Sequence, residues 1–578
     1  MDPIYKKLVQ NNDAHIVSTL QLQVNDPASK YFGGIIDDTG IARANHLNTP
    51  RVMAEWASAL VNPESRYYRD EALLAAFDRA ADFMLNRQHA DGTITLGSTN
   101  FNSPPDTAFV VGGVTQIYQL LEARVWAAVK PAAAKVKLFL ERTIPAMLTG
   151  GCHTPNHRWV ITAALALLHE IFPLPELVAR AEEWLAEGVD ITEDGEWTER
   201  SNGIYNAVSD IALYHTARLL NRPEWMEGVR RNLRMMVYLV HPSGEVVTDY
   251  SGRQDFGHSF DMAPYFLIYR LMAAHDKDPL FAAMSDYAGS VIQRSDAVNN
   301  HALLGLLLFP EADIADLERA PLPDSYVKVI NGRHPLSEHL QQIDRVGHHM
   351  KIEHSSMHLA FGAPLVRIRE KDTSATIMTR TPSFFSLRHG QVRLLGVKVS
   401  TSFSPGIVKF DDFSVEQGIY KLGVEMQKGY NGPIPHPFLP ERSGAAEISP
   451  WYLLPHQHRS MTHLQTHKLQ AAIMPGASEW KICVQSDERE DVYTQVTFIF
   501  GAEGSIIGND LQAAGEGKYM LKSGSVRYAV NGDAIEITGG AYEHWLPVNR
   551  EDQHPAGCQY VHVNLLTPFE RTFTIRML

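Results

Sequence analysis

The sequence predicts an α+β protein of two domains: an N-terminal α/α toroid over about residues 1–325 and a C-terminal antiparallel β-sandwich over 326–578. Three observations predict it. Apolar residues recur at helical spacing from about residue 48 to 310. Beyond about residue 325 the repeat falls to two. The helical half is interrupted about every 45–60 residues by a polar, Gly-containing loop. At 578 residues the chain is also too long for one ordinary core.

The helical elements can be taken in order. Asn48-Thr49-Pro50 sets a helix start, a cap residue followed by Pro in the first turn. "YYRDEALLAAFDRAADFMLNRQ" carries an amphipathic repeat that stops at Asp91-Gly92. Then come "DTAFVVGGVTQIYQLLEAR", "AAAKVKLFLERTIPAML", "HRWVITAALALLHEIF", "PELVARAEEWLAEG", "IYNAVSDIALYHTARLL", "PEWMEGVRRNLRMMVYLV" and "APYFLIYRLMAA". Short connections imply antiparallel neighbours. The loop glycines Gly92, Gly151, Gly195 and Gly244 recur once per helical pair. Paired helices in a repeat close most simply into a toroid, where every second connection lies at the same end. Four loops far apart in sequence are therefore expected to meet.

In the second half, "HLAFGAPLVRIRE", "SATIMTR", "FFSLRHGQVRLLGVKVSTSF", "DVYTQVTFIF", "SVRYAVNGDAIEITG" and "RTFTIRML" are rich in β-branched and aromatic residues, with Gly, Asn and Asp between them. They read as strands of an antiparallel sandwich. The segment 318–338 reads as the linker.

Composition narrows the function. Hydrophobic residues at 44% and charged residues at 20% are those of a water-soluble globular protein. A formal net charge of −14 with no long basic run argues against a nucleic-acid partner. No stretch reaches membrane-span length and the N-terminus has no apolar leader, so the chain as written is expected in the cytoplasm, or in the periplasm or outside if a signal peptide has been removed. Cys152, Cys483 and Cys558 are odd in number and widely spaced, which indicates no disulfide framework.

Chemistry is concentrated in the polar loops. "GCHTPNHRWV", 151–160, places His153, Asn156, His157 and Arg158 at a helix entrance. They form either a solvated first turn or a set of donors for an anion at the positive helix end. "DGEWTERSNGIYNAVSD", 194–210, brings Asn202 and Tyr205. The positions Tyr205, Ser209, Ala212 and Thr216 make a small, polar stripe, and a phenol lining a wet cavity can move a proton. "DYSGRQDFGH", 249–258, offers Tyr250 and Arg253, whose planar fork suits a carboxylate or an ion pair with a loop acid. "STNFNSPPDTAF", 98–109, contributes Asn100, Asn102 and Asp106, the last as a helix cap. In "GHHMKIEHSSMHLAF", 347–361, His348, His354 and His358 share one strand face and His349 the other. They could hold a structural zinc or calcium ion, project a catalytic imidazole, or be solvated.

These features together resemble the polysaccharide lyases of the heparinase II/III-like and alginate-lyase type. Asn156-His157 matches their Asn or Asn-His pair at a helix start. Asp194-Gly195, Glu199, Ser201 and Tyr205 match the stretch that leads to their Tyr, and His354 is the best match to their sandwich His, with His349 and His358 as alternates. Asn206 stands where a His usually follows the Tyr, so the subfamily is open; some relatives cleave rhamnosyl-glucuronate linkages. The resemblance implies β-elimination at a 4-linked uronic acid in an oligo- or polysaccharide. Asn156, His157 and Arg253 would hold the carboxylate, and Tyr205 and His354 would divide the base and acid roles. No cofactor is required, and a homo-oligomer is compatible.

Two other readings stay open. A toroid glycoside hydrolase needs two carboxylic acids flanking the bond, for which Asp106, Glu196, Glu199, Asp249 and Asp255 are candidates. A non-catalytic glycan binder would stack sugars on Trp159, Trp197, Tyr205 and Tyr250.

Overall fold

A computed structural model describes residues 2–346, 359–439, 450–548 and 554–578, and it divides into two compact units, Met1–Gly362 and Ala363–Leu578. The first is helical. Its helices are α1 (Pro3–Gln21), α2 (Thr49–Val61), α3 (Glu71–Arg87), α4 (Pro104–Glu122), α5 (Lys130–Thr149), α6 (Pro155–Ile171), α7 (Pro175–Leu185), α8 (Tyr205–Leu219), α9 (Met226–Met236), α10 (Phe266–Asp276), α11 (Pro279–Val291) and α12 (Ala302–Leu308). The even-numbered helices pack on one another in sequence, and α12 packs back on α2, so the inner ring is closed. The helices α3, α5, α7, α9 and α11 each pack on the inner helix before them, and α1 packs on α2, α11 and α12.

Sequence decides which helix is inner. In α4, Phe109, Val110, Val111, Val114, Ile117 and Leu120 are all buried, so every side of the helix is covered. In the outer α9, one face with Val229, Leu233 and Met236 is buried, while Arg230, Arg231 and Arg234 on the other side pair with Glu227, Asp276 and Asp278. The helix α1 was not expected, because its core-facing side mixes Leu8, Val9 and Ile16 with the polar Asn12, Asp13 and Thr19. Asn12 donates to the Glu55 carbonyl (2.9 Å), and Asp13 accepts from the Ser65 hydroxyl (2.5 Å) and the Arg66 N–H (2.9 Å). The helices α11 and α12 were missed as well. The segment read as a linker contains the strand Ser325–Ile330 and the start of the helix Leu336–Val346. Tyr326 donates to the Tyr238 carbonyl and the Asn331 N–H to Asp194, so this stretch belongs to the first unit.

One turn recurs in the loops that enter inner helices. At Asp37, His89, Thr192 and His241 the N–H donates to the carbonyl four residues on, and the residue three on returns a bond to its carbonyl. That returning residue is Gly40, Gly92, Gly195 or Gly244, each at positive φ. This is a three-residue hairpin turn closed by a left-handed residue. At Gly92 and Gly195 a second constraint is added. A Cβ there would lie 2.0 Å from the Arg142 carbonyl of α5 or 2.3 Å from the Arg231 carbonyl of α9. The turn is thus pressed onto the following outer helix and fixes how the chain enters the ring.

The second unit is a sandwich. One sheet runs Leu365–Glu370, Thr373–Met378, Phe385–His389, Val392–Thr401, Tyr493–Phe500, Gln559–Leu566, Lys518–Leu521, Leu511–Gly515. The 8-stranded sheet runs Ser505–Gly508, Ser525–Val530, Asp533–Thr538, Glu570–Met577, Glu479–Ser486, Met461–Met474, Ile419–Asn431, Asp412–Glu416. Pairing is antiparallel except between Lys518–Leu521 and Gln559–Leu566. Val366, Phe385, Val397 and Phe498 of one sheet share a core with Leu422, Leu469, Ile482 and Phe573 of the other. Among the described residues no helix is long and apolar enough to cross a membrane.

The repeated turn separates two costs. Gly40→Ala meets no atom within 4 Å and carries only the left-handed backbone penalty, a loss of about 1 kcal/mol. Gly195→Ala adds a clash with backbone and loses about 3 kcal/mol or more. Urea unfolding of the two variants measures this; equal losses would contradict it.

Candidate active site

Every outer helix hands the chain to the next inner helix at the same end of the ring, and the handing loops are bonded to one another. Asn45 donates to the Leu96 carbonyl (2.9 Å), the Val298 N–H to the His46 carbonyl (3.1 Å), and Asn300 to the Pro264 carbonyl (2.7 Å). Asn202 donates to the Val247 carbonyl (2.8 Å). The expected convergence of the loops is therefore present.

The centre of the cluster is Glu199, which is buried. Its Oε1 accepts both the backbone N–H (2.8 Å) and the side-chain Nδ2 (2.5 Å) of Asn156. Asn156 sits in the first turn of α6, where Thr154 at the cap accepts no bond from a backbone N–H of the helix through its side chain. Glu199 thus reaches across from the next loop and occupies the positive helix end that the sequence reading offered to a substrate anion. This corrects the role of Asn156: its Nδ2 is spent on Glu199 and, at 3.3 Å, on the Thr154 hydroxyl, while its buried Oδ1 has no partner among the described residues. The reverse amide orientation would set two oxygens against each other.

Arg253 completes the group. Its Nη1 lies 3.1 Å from Glu199 Oε2, and its guanidinium carbon lies 4.4 Å from the centre of the Tyr205 ring. The ion pair is with an acid of another loop, not with Asp255 of its own. Asp255 has a different task. Fully buried, it accepts from Ser201 Oγ (2.9 Å), the Gly203 N–H (2.9 Å) and Ser251 Oγ. It ties the loop that feeds Tyr205 to the loop that carries Arg253. Tyr205 opens α8 and remains half-exposed.

His157 stands beside them with no partner for Nδ1 among the described residues, edge-on to exposed His153 (ring centres 4.7 Å apart) and to Phe109 (6.2 Å). Burial, and then the positive fields of His153, Arg253 and His46, push its pKa down to about 3. His46 lies stacked on Phe109 at 4.6 Å, and burial lowers its pKa to about 4. His157 is therefore a neutral hydrogen-bonding ring at ordinary pH and a weak base. Deeper along the ring axis, His215 has no partner for either ring nitrogen among the described residues, and burial drives its pKa to about 3. It lines a small void with Gly112, Ala163, Ala212 and Asn299. The stripe below Tyr205 is accordingly dry: Ser209 is buried, and the Thr216 hydroxyl is spent on the Ala212 carbonyl (3.0 Å).

Several expected binding residues are elsewhere. Trp159 is buried against Trp225, Trp197 is buried with Nε1 donating to Asp210 (3.0 Å), and Tyr250 is buried beneath Arg200. None presents a face to a sugar. Asn202 is committed on every side, to Val247, the Tyr250 hydroxyl, Asn206 and the Tyr265 hydroxyl. Arg158 pairs with Glu187 (3.1 Å) and Asp190 (2.8 Å). Asn102 is an exposed turn residue at φ 43. Asp106 accepts from Asn100 (2.8 Å) and Ser103 (2.5 Å), and its N–H returns a bond to the Ser103 hydroxyl, so the cap is reciprocal. His348, His349, His354 and His358 lie outside the described residues. Among the described residues no group of three or more His, Cys, Asp or Glu is placed to hold a metal ion.

His46 and Phe109 were not foreseen.

No protein-family model and no curated protein sequence matches the chain. Solved structures do match. A heparinase III aligns with a TM-score of 0.53 at 11% identity, over 100% of this chain and 85% of that one. The Streptomyces coelicolor A3 chondroitin AC lyase, in complex with chondroitin sulphate, aligns with 0.53 at 12%, over 100% and 80%. A Paenibacillus xanthan lyase aligns with 0.53 at 10%, over 100% of this chain and 56% of that one. At these identities the likeness is one of fold: the chain has the α/α-toroid and antiparallel-sheet fold found in these polysaccharide lyases.

The buried histidines fix an acid response. His46, His157, His215 and His301 have folded pKa values of about 4, 3, 3 and 3 against an ordinary 6.5. Below pH 6.5 the unfolded chain binds protons that the folded one refuses, so stability is full above that pH and is lost toward pH 3–4. At pH 5 the loss is about 2 kcal/mol per histidine. Thermal unfolding should show that His215→Leu narrows the stability difference between pH 8 and pH 5 by that amount; an unchanged difference would refute it.

Proposed function

We propose that the chain is a glycan lyase that cleaves at a 4-linked uronic acid by β-elimination. One observation carries the proposal: a half-exposed phenol, Tyr205, stands on the loop rim beside the charge of Arg253, with His157 and Asn156 around it. The fold likeness to a chondroitin AC lyase held with chondroitin sulphate supports a glycan as ligand.

The chemistry follows from what elimination requires. Loss of the C5 proton builds negative charge next to a carboxylate, so that carboxylate must be held by donors. Arg253 has five N–H groups and spends only some on Glu199 and Gln254. Neutral His157 adds one N–H. Each donor aimed at developing charge contributes about 3–4 kcal/mol. Asn156 Oδ1 is an acceptor, suited to a sugar hydroxyl or to the proton of a carboxylic acid. Tyr205 moves the proton, and His354 is the second group of the proposed pair. The elimination consumes no cofactor.

Hydrolysis by paired carboxylates lacks an equivalent observation. Glu196 is buried against Arg200 (3.2 Å) and the Gly362 N–H (2.8 Å), Asp249 faces His241 at 3.5 Å, and Asp106, Glu199 and Asp255 are bonded as described.

Turnover of uronate-containing glycans should raise the ultraviolet absorbance of a 4,5-unsaturated uronate. A new reducing end without that absorbance would sink the lyase reading. Tyr205→Phe and Asn156→Ala should each lower kcat by roughly 10²–10⁴-fold with circular dichroism unchanged. Wild-type rates in both would remove the site assignment.

A further inference from the structure

A second cavity, of about 310 Å³, lies on the same rim as the candidate active site but between other loops. Its walls are the first turn of α2 at Arg51, the segment 261–264 before α10, the end of α11 and the segment 292–302 before α12. The last of these segments is tied to the candidate site, since the Val298 N–H donates to the His46 carbonyl (3.1 Å). Asp261 and Gln293 at the edge of the cavity are exposed, so it opens to solvent. Pockets that hold small molecules begin at about 300 Å³.

Two polar atoms of its lining residues are enclosed and have no partner among the described residues, Arg51 Nε and Asn300 Oδ1. Buried polar atoms are nearly always hydrogen-bonded. Asn300 is only 6% exposed, and its amide is fixed, because Nδ2 donates to the Pro264 carbonyl at 2.7 Å and to Asp296 at 3.4 Å. The cavity therefore presents one unspent donor and one unspent acceptor. Arg294, beside Arg51, is spent: its Nε and Nη2 donate to Glu55 at 2.7 and 3.3 Å.

Charge decides what can sit there. The two guanidiniums of Arg51 and Arg294 are set against the three carboxylates of Glu55, Asp261 and Asp296, so the surroundings do not favour an anion. A cation would meet Arg51. A hydroxyl suits both unspent atoms, because its oxygen accepts and its proton is donated. Asp296 and Ser295 add further hydrogen-bonding groups, while Pro264, Leu267 and Val291 give the cavity an apolar side. A sugar ring carries hydroxyls around its edge and C–H groups on its face, and this lining matches both.

We propose that this cavity binds an uncharged sugar residue, apart from the group around Glu199 and Tyr205. The proposal rests on the cavity alone and does not depend on the lyase reading.

Saturation-transfer NMR on the full chain tests it. The probes are the methyl glycosides of glucose, galactose, mannose and rhamnose, with glucuronate and inorganic sulfate as anionic competitors. At least one glycoside should bind in the millimolar range, and neither anion should displace it. Arg51→Met keeps the stem and removes the fork, and Ser295→Trp fills the cavity. Either variant, once circular dichroism shows it folded, should weaken binding by roughly 10-fold or more. No binding by any of the four glycosides overturns the proposal. Binding that survives in a folded variant overturns it too, because the sugar then sits elsewhere. Displacement by glucuronate or sulfate at equal concentration overturns it as well, because the cavity then selects an anion.

Discussion

The candidate site hangs on one buried carboxylate. Glu199 caps α6 through Asn156, pairs with Arg253 from the following loop, and through Arg253 holds the face of Tyr205. Three loops separated by about a hundred residues are aligned by this one group. A charge buried at such a place is stable only while its partners are present. Removing one leaves the other unpaired at a cost of about 3–5 kcal/mol. The arrangement therefore gives little latitude in where the guanidinium and the phenol stand, and that is what a reaction requires of its groups.

The toroid explains why a carboxylate is wanted there. All inner helices begin at the same end, so their unpaired N–H groups and partial positive charges converge on one rim. The rim histidines are kept neutral chiefly by burial: His46 and His157 are pushed well below their ordinary range. Glu199 and the capping Asp106 answer the field locally. Arg253, the cation of the group, is paired with Glu199 at 3.1 Å. The rim thus presents the positive fork of Arg253 in a fixed position.

Much of this was legible in the sequence, for reasons that can be stated. The helical period and the recurrent glycines are local signals, and the turn at Gly92, Gly195 and Gly244 demands a left-handed residue, so the toroid could be read. The helix α1 could not, because Asn12 and Asp13 face inward and only tertiary partners explain them. The strands Ile419–Asn431 and Met461–Met474 were missed where both faces of the ribbon are wet and alternation fades, and Glu479–Ser486 was missed although its burial alternates. In the site, Asn156, His157, Tyr205 and Arg253 were placed together by the repeat spacing. The link through Glu199 joins loops and has no local trace. Trp159 and Trp197 were misread as sugar platforms because an aromatic near a loop looks accessible, whereas α6 is enclosed on every side.

The same committed bonds weigh on which reaction the proposed site can run. Hydrolysis by two acids needs one carboxyl that gives up a proton and regains it within each cycle, while a second stays charged. Glu199 is engaged by Asn156 and Arg253, and Asp255 by Ser201, Gly203 and Ser251. Elimination makes no such demand. It needs fixed donors at a carboxylate and one group that moves a proton, and the partly solvated phenol of Tyr205 can do so while every buried ion pair stays intact. A site whose carboxylates serve as scaffold therefore favours a chemistry in which the substrate supplies the acid.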